Sequence, residues 1–201
     1  MDRTFKQALM RRRSYYALSP RTTIDDNRLT DLLHFVVQYV PSAFNSQSTR
    51  LVLLLHEAHR RLWNIVRETL REIVPPAAFG KTEQKIDTSF ASGYGTVLFF
   101  EDQQVVETLK QQFPTYADNF SLWADQTSAM HQLTLWTLLE EAGMGASLQH
   151  YNPLIDKRVR EIWQLPADWR LIAQMPFGAA FDTPADKSVN PIEKRVLRFD
   201  Q

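Results

Sequence analysis

Residues 95–101 read "GTVLFFE". Four consecutive apolar side chains, Val97 to Phe100, lie between a small polar stretch and an acid. The run is too short for an ordinary helix and rich in residues that favour extended chain, so it reads as a buried strand. A second such run, "RLVLLLH", occupies 50–56, and "RLIAQMPFG" at 170–178 is a third. "ASLQHY" at 146–151 resembles a further strand, and "KRVLRF" at 194–199 a possible terminal one.

The segments between these runs carry helical patterns. Residues 4–12 place Phe5, Ala8 and Leu9 near one face, and Pro20 stops any continuation. Ile24, Leu29, Leu32, Leu33, Val36, Val37 and Val40 recur at helical spacing, with Asp25 and Asp26 suited to the positive N-terminal end and Pro41 closing the segment. Residues 57–74 look helical until Pro75 and Pro76, and 102–113 and 153–163 read as shorter helices. The segment 121–142 is a long helix whose apolar side holds Trp123, Met130, Leu133, Trp136, Leu138 and Leu139. Gly143 stands where such a helix ends in a left-handed turn. Many helices and a few dispersed strands predict helices covering a small sheet, in a mixed α/β or α+β layer.

The bulk properties narrow the function classes. The chain has 201 residues, the size of one domain or one domain with an appendage. Lys and Arg number 23 against 23 Asp and Glu, so no global basic field points to nucleic acid. The absence of cysteine removes disulfides, thiolate metal sites and thiol nucleophiles together. "MDRTFKQALM" does not read as a secretory signal, and no run of about 18 apolar residues could span a bilayer. The expectation is a soluble, cytoplasmic protein without membrane insertion.

Four stretches could carry chemistry. "RRRS" at 11–14 follows a helix, and guanidinium groups bind phosphate through paired charged hydrogen bonds while serine adds a donor. The alternative is a solvated basic turn. "PSAFNSQ" at 41–47 packs small polar side chains into a turn, where Asn45 and Gln47 offer both donors and acceptors to a heteroaromatic edge. Taken alone, the segment is better explained as a plain turn with capping side chains. "EEAGMGASLQHYNP" at 140–153 has two glycines that permit close approach to a flat ligand or another chain, although Gly143 alone is accounted for as a helix terminator. The fourth stretch, 175–195, brings the late cations Lys187 and Arg195 on a proline-containing tail. His56 and His59 lack the companion carboxylate of a zinc motif, and no G-x-S-x-G, Walker loop or G-x-G-x-x-G is present. An enzyme built this way would borrow its chemistry from a bound cofactor.

Taken in order, R-R-S, P-S-x-x-N-x-Q, the glycine pair after the long helix and the late "PFG…K" tail resemble the FMN-dependent nitroreductase family over nearly the whole chain. "ASGYGTVLFFED" and "GMGASLQHYNPLID" look closest to its short bacterial and fungal branch, which resembles the fatty-acid-repression-mutant-like nitroreductases. The resemblance implies an α+β fold with a small, mostly antiparallel sheet flanked by helices. It implies one domain over 1–201, an intertwined homodimer, and a tail at about 182–201 reaching the partner subunit. It assigns Arg12, Arg13 and Ser14 to the phosphate side of FMN, with Arg11 beside them. Ser42, Asn45 and Gln47 fall on the loop that approaches the flavin, Ser42 coming from the partner. Gly145 and Gln149, His150 and Tyr151 fall against the ring. Lys187 matches a phosphate ligand, and Arg195 is a looser candidate.

The sequence departs from the family pattern at Tyr16, at Ser48-Thr49 and at Val189, where a basic residue, Pro-Trp and a second arginine are common. The chemistry implied is electron transfer from NADH or NADPH through FMN to a nitroaromatic or quinone-type acceptor, by a ping-pong sequence. Phe44, Phe113, Tyr116, Phe120 and Trp123 are candidates to line the pocket of that small aromatic acceptor. No metal and no nucleic acid are implied. The alternative within the family is a redox-sensing or regulatory flavoprotein with little turnover, linked to lipid or oxidative-stress responses.

Overall fold

The computed structural model describes residues 4–200; Met1 to Arg3 and Gln201, the last residue of the expected tail, lie outside it. In chain order the elements are α1 (Phe5–Arg11), β1 (Leu18–Ser19), α2 (Asp26–Tyr39), β2 (Thr49–Leu55), α3 (His56–Ile73), α4 (Pro76–Ile86), β3 (Gly95–Asp102), α5 (Gln103–Gln112), α6 (Ala117–Glu141), β4 (Gly145–Ala146), α7 (Asp156–Trp163) and β5 (Trp169–Ala180). Short 3₁₀ turns sit at Ala43–Asn45, Pro114–Tyr116 and Ile192–Lys194.

The strands form one antiparallel sheet in the order β1-β5-β3-β2, with β4 paired to β5. β3 is the central strand, and every residue from Gly95 to Glu101 is buried. Its alternating side chains therefore face two cores. Val97 and Phe99 meet Leu29, Leu33 and Val36 of α2 and Leu135 and Leu139 of α6. Leu98 and Phe100 meet Leu62, Trp63 and Val66 of α3 together with Phe90 and Val159. The α+β class with helices flanking a small antiparallel sheet is thus the observed one.

Local chemistry sets the element ends. Asp25 caps α2, its carboxylate accepting from the Arg28 N–H at 2.8 Å. α3 ends at Ile73 before the two prolines, but the second proline then opens α4, since a residue without an N–H costs nothing in the first turn of a helix. Tyr94 donates to Asp26 at 2.6 Å, which pushes the phenol up to about 12 and ties the start of β3 to α2.

Two strand expectations need correction. "ASLQHY" is not a strand throughout: β4 is only Gly145–Ala146, followed by an isolated bridge between Gln149 and Gln174. The Ser147 N–H reaches the carbonyl of Pro176, and proline has no N–H to return, so the ladder breaks there. "KRVLRF" is not a strand either. It follows the 3₁₀ turn at Ile192–Lys194 and is exposed, with Leu197 and Phe199 at 72% and 89%.

Candidate functional site

Arg11, Arg12, Arg13 and Ser14 leave α1 and run beside β4. Ser14 forms a parallel bridge with Ala146, and the Tyr15 N–H donates to the Ala146 carbonyl at 3.0 Å. The first and third of the sequence stretches thereby meet. Gly145 makes this possible: a Cβ there would sit 2.8 Å from Cγ and 2.9 Å from Cβ of Tyr15. Gly143, with φ of +84°, only ends α6, as its sequence position implied.

Arg12 lies over Trp136 of α6, its guanidinium carbon 4.3 Å from the ring centroid. Its Nε is buried and has no hydrogen-bond partner among the described residues. Burial, then the charge of Arg13, hold the Arg12 pKa below its usual value, partly offset by Glu140. Arg11 is exposed, its Nε 3.9 Å from Glu140. Arg13 donates to the Ala185 carbonyl at 2.5 Å. That bond brings the tail of the same chain to this cluster, with Lys187 exposed two residues further on. Arg195 is exposed beyond the last 3₁₀ turn.

Ser42, Asn45 and Gln47 belong to a tight loop between α2 and β2. The Gln47 N–H donates to Ser42 Oγ at 3.0 Å, and Arg50 Nη1 donates to the Gln47 carbonyl at 2.7 Å. Phe44, Asn45 and Gln47 have φ of 55°, 51° and 50°. For residues other than glycine this left-handed backbone costs roughly 1–3 kcal/mol each, so neighbouring contacts must hold it. The Phe44 ring supplies them, with centroids 4.8 Å from Phe113, 5.3 Å from Phe120, 5.7 Å from Tyr116 and 5.9 Å from Trp123. The aromatics singled out in the sequence are therefore gathered around one ring.

The loop is anchored where the sequence departs from the family pattern. Ser48 and Thr49 donate to the two carboxylate oxygens of buried Glu101, at 2.6 and 2.5 Å. Burial raises the Glu101 pKa while those two bonds oppose the rise. His131 of α6 lies behind Thr49 at 3.5 Å, and burial lowers its pKa while a hydrogen bond to the Thr127 carbonyl opposes the shift. No sequence signal linked Glu101 to this loop, because the contact runs across the β2–β3 pair. Ser42, Gln47, Thr49 and His131 also border a cavity of about 520 Å³ whose apolar wall includes Leu33, Val37 and Leu51.

The Gln149–Tyr151 stretch divides. Gln149 Nε2 donates to Ser147 Oγ at 3.1 Å, and His150 is exposed. The Tyr151 N–H donates to Gln174 Oε1 at 2.7 Å, and its ring packs on Trp63 and Phe90 in the second core.

The arginine cluster and the Ser42–Gln47 loop lie at opposite ends of the chain's scaffold. The cluster is level with Gly95 of β3, through Ala146 and Phe177; the loop leads into Thr49, level with Glu101. Those six residue steps span about 20 Å. α6 measures the same separation independently. Trp123 contacts the loop and Trp136 the arginines, again about 20 Å apart along the helix axis.

A helix-flanked antiparallel sheet with these segments in this order defines a family, and comparison with known proteins agrees. A profile of the Nitroreductase family matches residues 9–179. The chain belongs to the nitroreductase family, a family of oxidoreductases. It is 35% identical over 187 residues to HBN1 of Saccharomyces cerevisiae, covering 92% of each chain. Nitroreductase CinD from Lactococcus lactis, solved in complex with nicotinic acid, superposes with a TM-score of 0.90 at 40% identity, over 98% of this chain and 100% of that one. The same protein has been solved with 4-nitrophenol, at a TM-score of 0.89. A nitroreductase-type protein from Exiguobacterium sibiricum in complex with FMN shares the fold, with a TM-score of 0.72 over 98% of each chain, at 13% identity.

Proposed function

We propose that this protein is a flavin-dependent nitroreductase that holds FMN between two copies of itself. The observation that carries this reading is the state of Arg12. Half-buried Arg12 carries a buried, unpartnered Nε over Trp136 with the like charge of Arg13 beside it, which favours an anion at this point. A phosphate monoester fits, because it accepts several charged hydrogen bonds at once. Arg12, Arg13 and Ser14 would hold that phosphate, with Arg11 alongside and Lys187 carried in by the Arg13–Ala185 bond.

The flavin edge needs donors and acceptors in alternation, which Asn45 and Gln47 supply with Ser42. The 20 Å between that loop and the arginines favours loop and cluster coming from different subunits. Exposed apolar residues on α6, including Leu122, Met130 and Leu133 at 55%, 40% and 46%, give a dimer something to bury. β2 is an edge of the sheet, and the tail at 182–201, which carries the exposed apolar residues Val189, Ile192, Leu197 and Phe199, is long enough to reach a partner. On this reading Gly145 and Gln149–Tyr151 shape the wall beside the cluster, and Arg195 travels with the tail.

FMN bound there would supply the redox chemistry, the exchange of electrons between NADH or NADPH and a nitroaromatic or quinone-type acceptor in a ping-pong sequence. The chain's own work is to bind, to orient and to exclude water. Aromatic side chains around Phe44 offer flat apolar surface to a planar acceptor. Among the described residues no helix is long and apolar enough to cross a membrane. The test is the visible spectrum of the purified protein and its bleaching by NADH or NADPH without oxygen. A colourless preparation that takes up no added FMN defeats the reading; a bound flavin that neither nicotinamide reduces defeats the electron-donor half.

A further inference from the structure

The helical pattern of 121–142 places Trp136 on the apolar side of α6, as a core residue and nothing more. The structure gives it a second contact. Its ring is half-buried at the margin of the first core and also carries the Arg12 guanidinium, 4.3 Å from its centroid. Glu140, one turn further along the same face of α6, lies 3.9 Å from Arg11. That face of α6 therefore receives two successive arginines. A core tryptophan ordinarily places its N–H on an acceptor. Trp63 does so, donating to Thr96 Oγ1 at 3.0 Å. Trp136 does not. Among the described residues three buried side-chain nitrogen or oxygen atoms have no hydrogen-bond partner, and two of them, Trp136 Nε1 and Arg12 Nε, belong to this one stacked pair. Unpaired buried donors cost stability, so the stack is poorly explained by packing alone.

We propose that Trp136 is a positioning residue for phosphate recognition: its indole face holds the Arg12 guanidinium in place, so that a flavin bearing a phosphate is preferred to one without. A free arginine side chain has many rotamers, and ordering it on binding weakens affinity. Stacking on an indole orders it beforehand, and leaves the in-plane N–H donors of the guanidinium edge for the anion. Trp136 acts only through Arg12 and makes no contact with the flavin ring in this account. The identity of the anion rests on the proposed function; the stack itself is observed.

The experiment titrates the full-length protein, dialysed free of its own flavin, with FMN and with riboflavin, which lacks the phosphate. The quantity read is the ratio of the FMN to the riboflavin association constant, since a merely structural loss weakens both flavins alike and leaves the ratio unmoved. Trp136→Leu should lower the ratio about tenfold, the scale of a partly buried cation–π contact. Trp136→Phe keeps a flat ring and should lower it by less. In an Arg12→Ala background Trp136→Leu should lower it no further, because the two side chains act as one unit. A ratio that Trp136→Leu changes less than threefold overturns the role of Trp136, and so does an equal fall in the Arg12→Ala background. If Trp136→Leu fails to fold, Trp136→Met, whose flexible chain fills the space without a flat face, is judged by the same criteria. A wild type that takes up no FMN overturns the proposed function and the role of Trp136 together; one that binds FMN with a ratio indifferent to Trp136 overturns that role alone.

Discussion

The Arg12 guanidinium carbon sits 4.3 Å from the centroid of the Trp136 ring, with its Nε buried and unpartnered. Stacking fixes the plane of the guanidinium and leaves its donors aimed away from the ring. On the proposed reading those donors serve the phosphate of FMN. The Arg12→Ala/Arg13→Ala double variant should therefore lose bound FMN, with affinity falling roughly tenfold or more per arginine. The flavin absorbance of the purified variant, against unchanged helical circular dichroism, checks this. Arg12→Lys should recover little, since an ammonium neither stacks nor forks as a guanidinium does.

The opposite placement of the arginine cluster and the Ser42–Gln47 loop yields a complementation test. Arg12→Ala/Arg13→Ala subunits mixed with Asn45→Ala/Gln47→Ala subunits, after unfolding and refolding together, should regain about a quarter of the wild-type flavin sites. Half of the randomly formed dimers are mixed, and each of those has one site with both halves intact. If each site came from a single chain, every site would carry a defect and no flavin would return.

Gly145 is where Tyr15 closes on β4. Gly145→Ala places a methyl group inside contact distance of the Tyr15 ring, and relief requires the Ser14–Ala146 bridge to shift. The expected cost is about 1–3 kcal/mol of stability, with weaker flavin retention. Urea midpoints and flavin content report the two effects separately.

His59 is buried between Thr96 and the Ala91 carbonyl, and burial lowers its pKa from 6.5 to about 4. Its folded pKa lies below its unfolded one, so the unfolded chain takes up a proton first as pH falls. Stability is unaffected by this group above about pH 7 and is lost between 6.5 and 4. The loss should reach about 2 kcal/mol by pH 5. His59→Gln keeps a hydrogen-bonding side chain without a titration and should flatten the acid side of the profile. Denaturant unfolding at pH 7.5 and pH 5, in both proteins, measures the difference.

Much of the fold was legible in the chain. The runs at 50–56, 95–101 and 170–178 became β2, β3 and β5, because uninterrupted apolar residues of strand length have few other uses. The long helix ending at Gly143 was equally plain. α4 was not, since paired prolines read as a stop although the second can also begin a helix. The strand expected over 146–151 fell short because its partner includes Pro176, a fact about pairing rather than about the segment itself.

The residue types of the candidate site were also visible, as arginines, a serine and amide side chains in a recognisable order. Their arrangement was not. That Trp136 carries Arg12, that Glu101 anchors the loop through Ser48 and Thr49, and that Phe44 gathers four aromatic rings all depend on contacts between residues far apart in the chain. Periodicity and turn chemistry are local, so the linear order of residues determined the elements, their sequence and the family. Strand register and the rise of α6 are properties of the packed whole. They alone decided that the two halves of the site stand about 20 Å apart, because only pairing across the sheet converts residue number into distance.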